Sequence, residues 1–311
     1  MPKKLKPNLF IVGQPKSGTT AFYEFLKSHP DIYLPPQKEI HYFCKDFHKE
    51  NERYHGECLH FTYRTEPEFL SLFVDQNGEK VIGEASVNYF YSEVAAQNIH
   101  NFNSDSKILI FLRNPVDFLK SWHAHSLLTN GETYESLEDA LNAEERRKNG
   151  DDLTQIIKVP SYLFYTERLH YVKHLKRFLD VFPKEQIKVI IYDDIVLNIG
   201  EVYKEILSFL DVDKDFEPDF KVINSRKKIR FKSVLRFTKF PKVKKLMNLA
   251  ISRKIRQNIG LQKLFKKIFL VPFDKYPENE NLEKDIKKKF EEEVIQLSDI
   301  LDRDLKGLWN F

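Results

Sequence analysis

The sequence predicts an α/β fold: a central, mostly parallel sheet flanked by helices, with a helical C-terminal portion. Three observations predict it. Short runs of consecutive apolar residues recur along the chain, as strands buried on both faces require. Segments with helical spacing stand between them, and that alternation makes crossover connections and a parallel sheet. The first apolar run ends in a glycine-containing loop that leads straight into a helical segment.

The elements follow in order. Asn8 to Gly13 (NLFIVG) reads as a short strand ending in Gly. Thr19 to Ser28 is a helix with Ala21, Phe22, Phe25 and Leu26 on one face, stopped by His29-Pro30. Val81 to Gly83 is a second strand, and Ser92 to Phe102 a helix with Ser92 as N-cap. Lys107 to Leu112 (KILIFL) is a continuous buried strand; Asn114 then caps, and Pro115 opens, a helix running to Leu128. Leu137 to Arg147 reads as a charged surface helix and Tyr165 to Phe182 as a long amphipathic one ended by Pro183. Ile187 to Tyr192 is a further buried strand and Val202 to Leu210 a helix. Leu282 to Leu305 is a charged helix with Phe290, Val294, Leu297, Ile300 and Leu301 spaced to dock on the core. No repeat or low-complexity linker interrupts the 311 residues. A single domain over 1–311 is expected, with a basic helical subregion near 221–273 and a C-terminal docking helix near 282–305.

Composition excludes several classes. Hydrophobic residues make up 41% of the chain, enough for a sizeable core. No apolar run approaches the roughly 18 to 20 residues that cross a bilayer. The stretch Leu9 to Val12 is too short for a signal peptide. A soluble, cytoplasmic protein is expected. Cys44 and Cys58 stand apart from any CxxC or Cys/His cluster, so two free thiols and no metal are expected. The net charge of +4 hides an asymmetry: no Asp or Glu occurs from Phe220 to Phe273, where Arg226, Lys227, Lys228, Arg230 and Lys232 are followed by many more cations. A single-sign block this long attracts anions. A cofactor, an acidic acceptor, a membrane surface and nucleic acid all fit that requirement.

A loop between a buried strand and a helix cradles phosphate through its amides and the helix N-terminus. Here it reads Gly13-Gln14-Pro15-Lys16-Ser17-Gly18-Thr19-Thr20. A Walker A loop has Gly-x4-Gly-Lys-Ser/Thr. The glycines keep that spacing, but Thr19 stands where the lysine belongs and Lys16 lies between the glycines. This turns the reading away from a standard ATP/Mg²⁺ kinase.

Pro15 to Thr20 resembles the 5′-phosphosulfate loop, P-K-[ST]-G-T-[TS], of the PAPS-dependent sulfotransferase superfamily. PAPS is 3′-phosphoadenosine 5′-phosphosulfate and PAP the product left behind. The resemblance implies a P-loop-NTPase-like sulfotransferase fold. It implies that Lys16 stabilises the departing oxygen and that Ser17, Gly18, Thr19 and Thr20 hold the 5′-phosphate. Sulfuryl transfer needs in-line positioning and oxyanion stabilisation, which fits such a loop. Arg113, Pro115 and Ser121 match the superfamily's 3′-phosphate motif, an Arg at a strand end with Ser eight residues on. A planar guanidinium suits a phosphate. By the same resemblance Tyr171 touches the adenosine moiety. The basic segment containing Arg226, Lys227, Lys228 and Arg230 stands where the superfamily closes a basic loop over the 3′-phosphate, and the choice among the four stays open.

Lys38-Glu39-Ile40-His41-Tyr42-Phe43 supplies a proton acceptor. In an extended segment Glu39 and His41 share one face, and a carboxylate beside an imidazole suits an alcohol's proton. The segment resembles the K-E-x-H-x-F stretch of the heparan sulfate-type sulfotransferases and their bacterial relatives. That resemblance makes Glu39 the general base, with His41 supporting it. Gly83 to Phe90 (GEASVNYF) resembles the same branch and would set Ser86 near the transferring group. Those enzymes carry Lys after the glutamate of this segment, where this chain has Ala85, so a second lysine is missing or comes from elsewhere.

The leading reading is transfer of a sulfuryl group from PAPS to a hydroxyl or amine of an unidentified acceptor: a carbohydrate, a lipid or a small metabolite. The basic block favours an acidic or membrane-associated acceptor and allows peripheral membrane contact; nucleic acid is not expected as a partner. Two other readings stand beside it, an atypical P-loop nucleoside or nucleotide kinase and a non-catalytic binder of anionic surfaces.

Overall fold

A computed structural model describes residues 6–220 and 279–311, together with the backbone of 227–229 and 270–272. β1 (Leu9–Gly13), β2 (Ile32–Tyr33), β3 (Val81–Ala85), β4 (Lys107–Leu112) and β5 (Ile187–Ile191) form one sheet in the order β2-β3-β1-β4-β5. Every pairing in it is parallel, with Leu9 opposite both Gly83 and Lys107, and Ile108 opposite Ile187. The helices are α1 (Thr19–Lys27), α2 (Lys45–His55), α3 (Glu66–Leu70), α4 (Ala95–Phe102), α5 (Pro115–Thr129) and α6 (Leu137–Asn142). They continue with α7 (Glu144–Lys148), α8 (Tyr171–Leu179), α9 (Tyr192–Leu197), α10 (Ile199–Leu210), α11 (Glu280–Leu301) and α12 (Leu305–Trp309). A separate antiparallel pair joins β6 (Lys227–Ile229) to β7 (Leu270–Pro272). These two strands lie within the block expected to be helical; the rest of that block is outside the described residues.

Alternation along the strands builds two cores. Phe10, Val12, Ile82, Ile108, Ile110 and Leu112 face one side and pack with α4, α5, α8 and α11. Leu9, Ile11, Val81, Leu109 and Phe111 face the other and pack with α1 and α10. The sheet is therefore covered on both faces, as the continuous apolar runs predict. No helix of the described residues is long and apolar enough to cross a membrane. Cys44 and Cys58 are free thiols.

The topology also says where a ligand belongs. From the central strand β1 the chain first builds β2 and β3 on one side and later β4 and β5 on the other. Such a reversal opens a crevice beyond the carboxyl ends of the strands. Gly13, Ala85 and Leu112 end there, and the next residues are the loop, Ser86 and Arg113.

Several helices differ from expectation. The segment Tyr165–Phe182 is not one helix: a 3-10 turn at Glu167–Leu169 precedes α8. Glu144 accepts both the amide and the hydroxyl of Thr166, and Glu293 accepts the amide of Val172, so the chain is captured before and after the turn. The charged segment Leu137–Arg147 breaks at Ala143 and is not all surface. Arg147 is buried and makes two bonds to Glu132, at 2.8 and 2.6 Å. A charge is buried only when so paired. Ser92 accepts from the amides of Val94 and Ala95 but sits outside α4, which starts at Ala95. The tail helix stops at Leu301, where Asp302 turns left-handed (φ 50°), and Leu305 begins α12; Phe290, Val294 and Leu297 are buried as spaced.

Candidate functional site

The loop after β1 is tied to its neighbour strands. Gln14 donates its amide to Phe111 O at 2.7 Å, and Ser86 its amide to Ile11 O at 3.1 Å. Lys16 (φ 69°) and Gly18 (φ 92°) are left-handed and turn the chain onto the start of α1. At Gly18 a side chain would also meet Ile195 Cδ1 at 3.1 Å, so glycine suits the site twice over. No side chain caps α1. Its first amides have no intrahelical acceptor and carry the positive end of the helix dipole. The result is a concave set of donors for an anion. Ser17 is buried and donates to Gln14 Oε1 at 3.3 Å.

Arg113 follows β4 and is 3% exposed. Its Nη1 donates to Lys16 O at 3.1 Å, its Nη2 lies 3.5 Å from Asp117, and its guanidinium stands 4.5 Å from the Tyr192 ring centre. The structure thus brings the two sequence anchors together, and Arg113 Nε remains buried without an acceptor among the described residues. Ser121 sits half-buried two turns into α5. Tyr171 lies against the end of β4. It is fully buried and donates its hydroxyl to Arg113 O at 3.0 Å, so it braces the strand end from behind. The C-terminus braces the same turn: Asn114 donates to Trp309 O, Trp309 to Asp193, and Arg303 makes two bonds to Asp194.

The Lys38–Phe43 segment is not extended, because Glu39 (φ 58°) and His41 (φ 56°) are both left-handed. The pairing survives by another route. Ile40 is buried and Tyr42 stacks on Phe69 at 4.7 Å, which plugs the core and leaves the other two on the cleft side. Glu39 donates its amide to Ala85 O at 2.9 Å and accepts from the Val87 amide at 3.2 Å. His41 donates its amide to Ser86 Oγ at 2.8 Å, and Ser86 donates to Glu84 at 2.5 Å. Glu39 Oε2 then lies 3.5 Å from His41 Nε2.

Enclosure sets the protonation states. Burial raises the Glu39 carboxyl above its usual range, partly offset by the Lys38 charge and the Val87 amide. The side chain keeps 39% of its surface in contact with solvent although protein surrounds it, the signature of a cleft wall. Burial, with the charges of Lys158 and His48, pushes His41 down to about 3, so the imidazole is neutral at pH 7. The fully buried Glu84 is pushed up to about 8, which makes it a protonated acid there.

Three basic residues around this cleft, Lys38, His125 and Lys158, carry no role in the sequence reading. Lys38 donates to Thr20 Oγ1 at 3.1 Å and links the base segment to the loop; it is the first residue of the motif that named Glu39. His125 is pushed down to about 4 by burial and by the charges of Lys16, Lys158 and Arg168. It follows Ser121 by four residues and therefore shares its helix face, a signal open to sequence reading. Lys158 bears on Glu39, His41 and His125 alike. Its carbonyl accepts from Asn51 and the carbonyl before it bonds His55, both on α2. No spacing points to this lysine. The side chains of Arg226, Lys228 and Arg230 lie outside the described residues; the backbone of β6 runs beside α5. Among the described residues no group of His, Cys, Asp or Glu is arranged to hold a metal ion.

A family model described as Sulfotransferase domain matches residues 6–269. Human bifunctional heparan sulfate N-deacetylase/N-sulfotransferase 1 is 33% identical over 119 residues, 38% of this chain and 13% of that protein. Human heparan sulfate glucosamine 3-O-sulfotransferase 5 is 28% identical over 197 residues, 61% of this chain and 49% of that protein. The matches thus span less than half the length of these curated relatives. Among solved structures, a sulfotransferase from Alicyclobacillus acidocaldarius superposes with a TM-score of 0.71 at 27% identity, covering 99% of this chain and 100% of that one.

Proposed function

We propose, from the premise that this chain belongs to the sulfotransferase domain family, that it transfers the sulfuryl group of PAPS to a hydroxyl or amine acceptor. One observation carries the reading: an anion-cradling loop, a buried arginine bonded to that loop, and a carboxylate–imidazole pair converge at the carboxyl ends of β1, β4 and β3.

The chemistry divides among these groups. The loop amides and Thr19 and Thr20 hydroxyls bind the 5′-phosphate, and Arg113 with Ser121 takes the 3′-phosphate, which separates this donor from ATP. Glu39, ionised, accepts the acceptor's proton; neutral His41 keeps the carboxylate oriented without neutralising it. A new bond forms from the acceptor oxygen or nitrogen to sulfur as the bond from sulfur to the bridging phosphate oxygen breaks. That oxygen leaves with the electron pair on PAP, and Lys16 stabilises its charge. The names of the relatives make sugar hydroxyls and amino sugars the first acceptors to try, and the cations of residues 221–273 favour acceptors that carry negative charge.

The test supplies labelled PAPS with sugar acceptors and with extracts of the source organism. Label is expected in an acceptor, with Lys16→Ala cutting the rate by about 10²- to 10³-fold. Near wild-type transfer by that variant would overturn the mechanism. Mg²⁺-dependent ATP turnover without transfer from PAPS would replace it with the kinase reading.

A further inference from the structure

We infer that Lys38 is a second donor-binding cation and contacts the 5′-phosphate end of the bound nucleotide beside Thr20. The inference rests on the sulfotransfer reading and deepens it. The geometry begins with Glu39, whose amide bonds to Ala85 O and docks the Lys38–Glu39 segment along the carboxyl end of β3. Ala85 is buried and offers only a methyl group there. The positive charge at this end of the sheet comes from the neighbouring segment instead.

The Lys38 ammonium reaches the last residue of the loop, with Nζ 3.1 Å from Thr20 Oγ1 and 5.0 Å from the Tyr23 ring centre. An ammonium has three donors. The hydroxyl takes one and the ring face occupies a second. Among the described residues Lys38 has no ion-pair partner: its charge is balanced only at longer range by Glu39, Glu24 and Glu84. A half-enclosed ammonium with a donor to spare, fixed to a phosphate-cradling loop, suits an incoming anion. Burial also lowers the lysine's pKa, as expected of a cation whose natural counter-ion is a ligand.

The closing experiment compares binding of PAP and of adenosine 3′-phosphate, which lacks the 5′-phosphate, to the wild-type protein and to Lys38→Met and Lys38→Arg. Lys38→Met is expected to weaken PAP binding by about 10- to 100-fold, the worth of one charge-assisted hydrogen bond, and to leave adenosine 3′-phosphate unaffected. Lys38→Arg is expected to recover part of the loss. An unchanged PAP affinity, or an equal loss for both nucleotides, overturns the assignment. If Lys38→Met fails to fold, the wild-type protein answers by itself: PAP should protect Lys38 from amine-acylating reagent, and equal labelling with and without PAP overturns the inference. Wild-type protein that neither binds PAP nor uses PAPS sinks the sulfotransfer reading, and this inference with it.

Discussion

The loop at Gly13–Thr20 and the segment at Lys38–Phe43 are neighbours joined by the Lys38–Thr20 bond, yet they are held in opposite ways. The loop is local. A buried strand, a turn with Lys16 and Gly18 left-handed, and a helix start follow one another in sequence, and Phe111 O and the Arg113 guanidinium are the long-range partners that steady them. The segment is tertiary. Glu39 and His41 are non-glycine residues in the left-handed region, which costs roughly 1–2 kcal/mol each. Four hydrogen bonds hold them there: the Glu39 and His41 amides donate to Ala85 O and Ser86 Oγ, Glu39 accepts from the Val87 amide, and His48 bonds His41 O. The difference teaches that donor binding and proton acceptance should respond to different mutations, although the two sites share one cleft. Strain kept by surrounding contacts also fixes the Glu39 side chain in one orientation.

The largest effect should come from Glu39→Gln, which keeps the shape and removes the carboxylate proposed as base. Its kcat should fall by about 10²- to 10⁴-fold, with PAP affinity retained; a variant with more than a tenth of wild-type activity would reassign the base. Because burial raises the Glu39 pKa, the wild-type kcat/KM should fall on acidification at a pH above the usual carboxylate range. Next is Ser86→Ala, which cuts the link between His41 and Glu84. A loss of about ten- to a hundredfold in kcat is expected, from a misplaced base, and PAP binding measured calorimetrically should not change. Equal damage to PAP binding would mean that the two regions are one unit.

Gly18→Ala should act on the other region. A stability loss of about 1–2 kcal/mol and weaker PAP binding are expected, with the acid limb of the rate profile unmoved. The smallest effect concerns Glu84. Its folded pKa of about 8 lies far above that of an exposed carboxyl, so the fold holds the protonated form. That contribution is complete below the unfolded pKa and is lost as pH rises through about 8. The melting temperature should decline between about pH 4.5 and 8 and level off above, and the decline should be shallower in Glu84→Gln. A parallel decline in both proteins would show that Glu84 titrates elsewhere.

By itself the sequence determined the parallel sheet, the loop, and α5 with its Asn114 cap and Pro115 start. Each follows from interactions between near neighbours: apolar runs that bury as strands, a glycine that turns left, a side chain that caps its own helix. The same logic failed wherever a partner is distant in sequence. The segment around Glu39 is not extended, since bonds to β3 and to the residues just after it override local preference. The 165–182 segment is not one helix, since Glu144 and Glu293 capture its backbone. Arg147 is inside, since Glu132 neutralises it. The bond from Tyr171 to Arg113 O likewise joins residues far apart in sequence. Lys38 and Lys158 become part of the cleft only when β3, α2 and the loop are brought together. Local sequence settled which chemical groups exist and which backbone carries them. The tertiary structure decided which of them face one another, because burial, charge and hydrogen-bond geometry depend on residues that only folding makes adjacent.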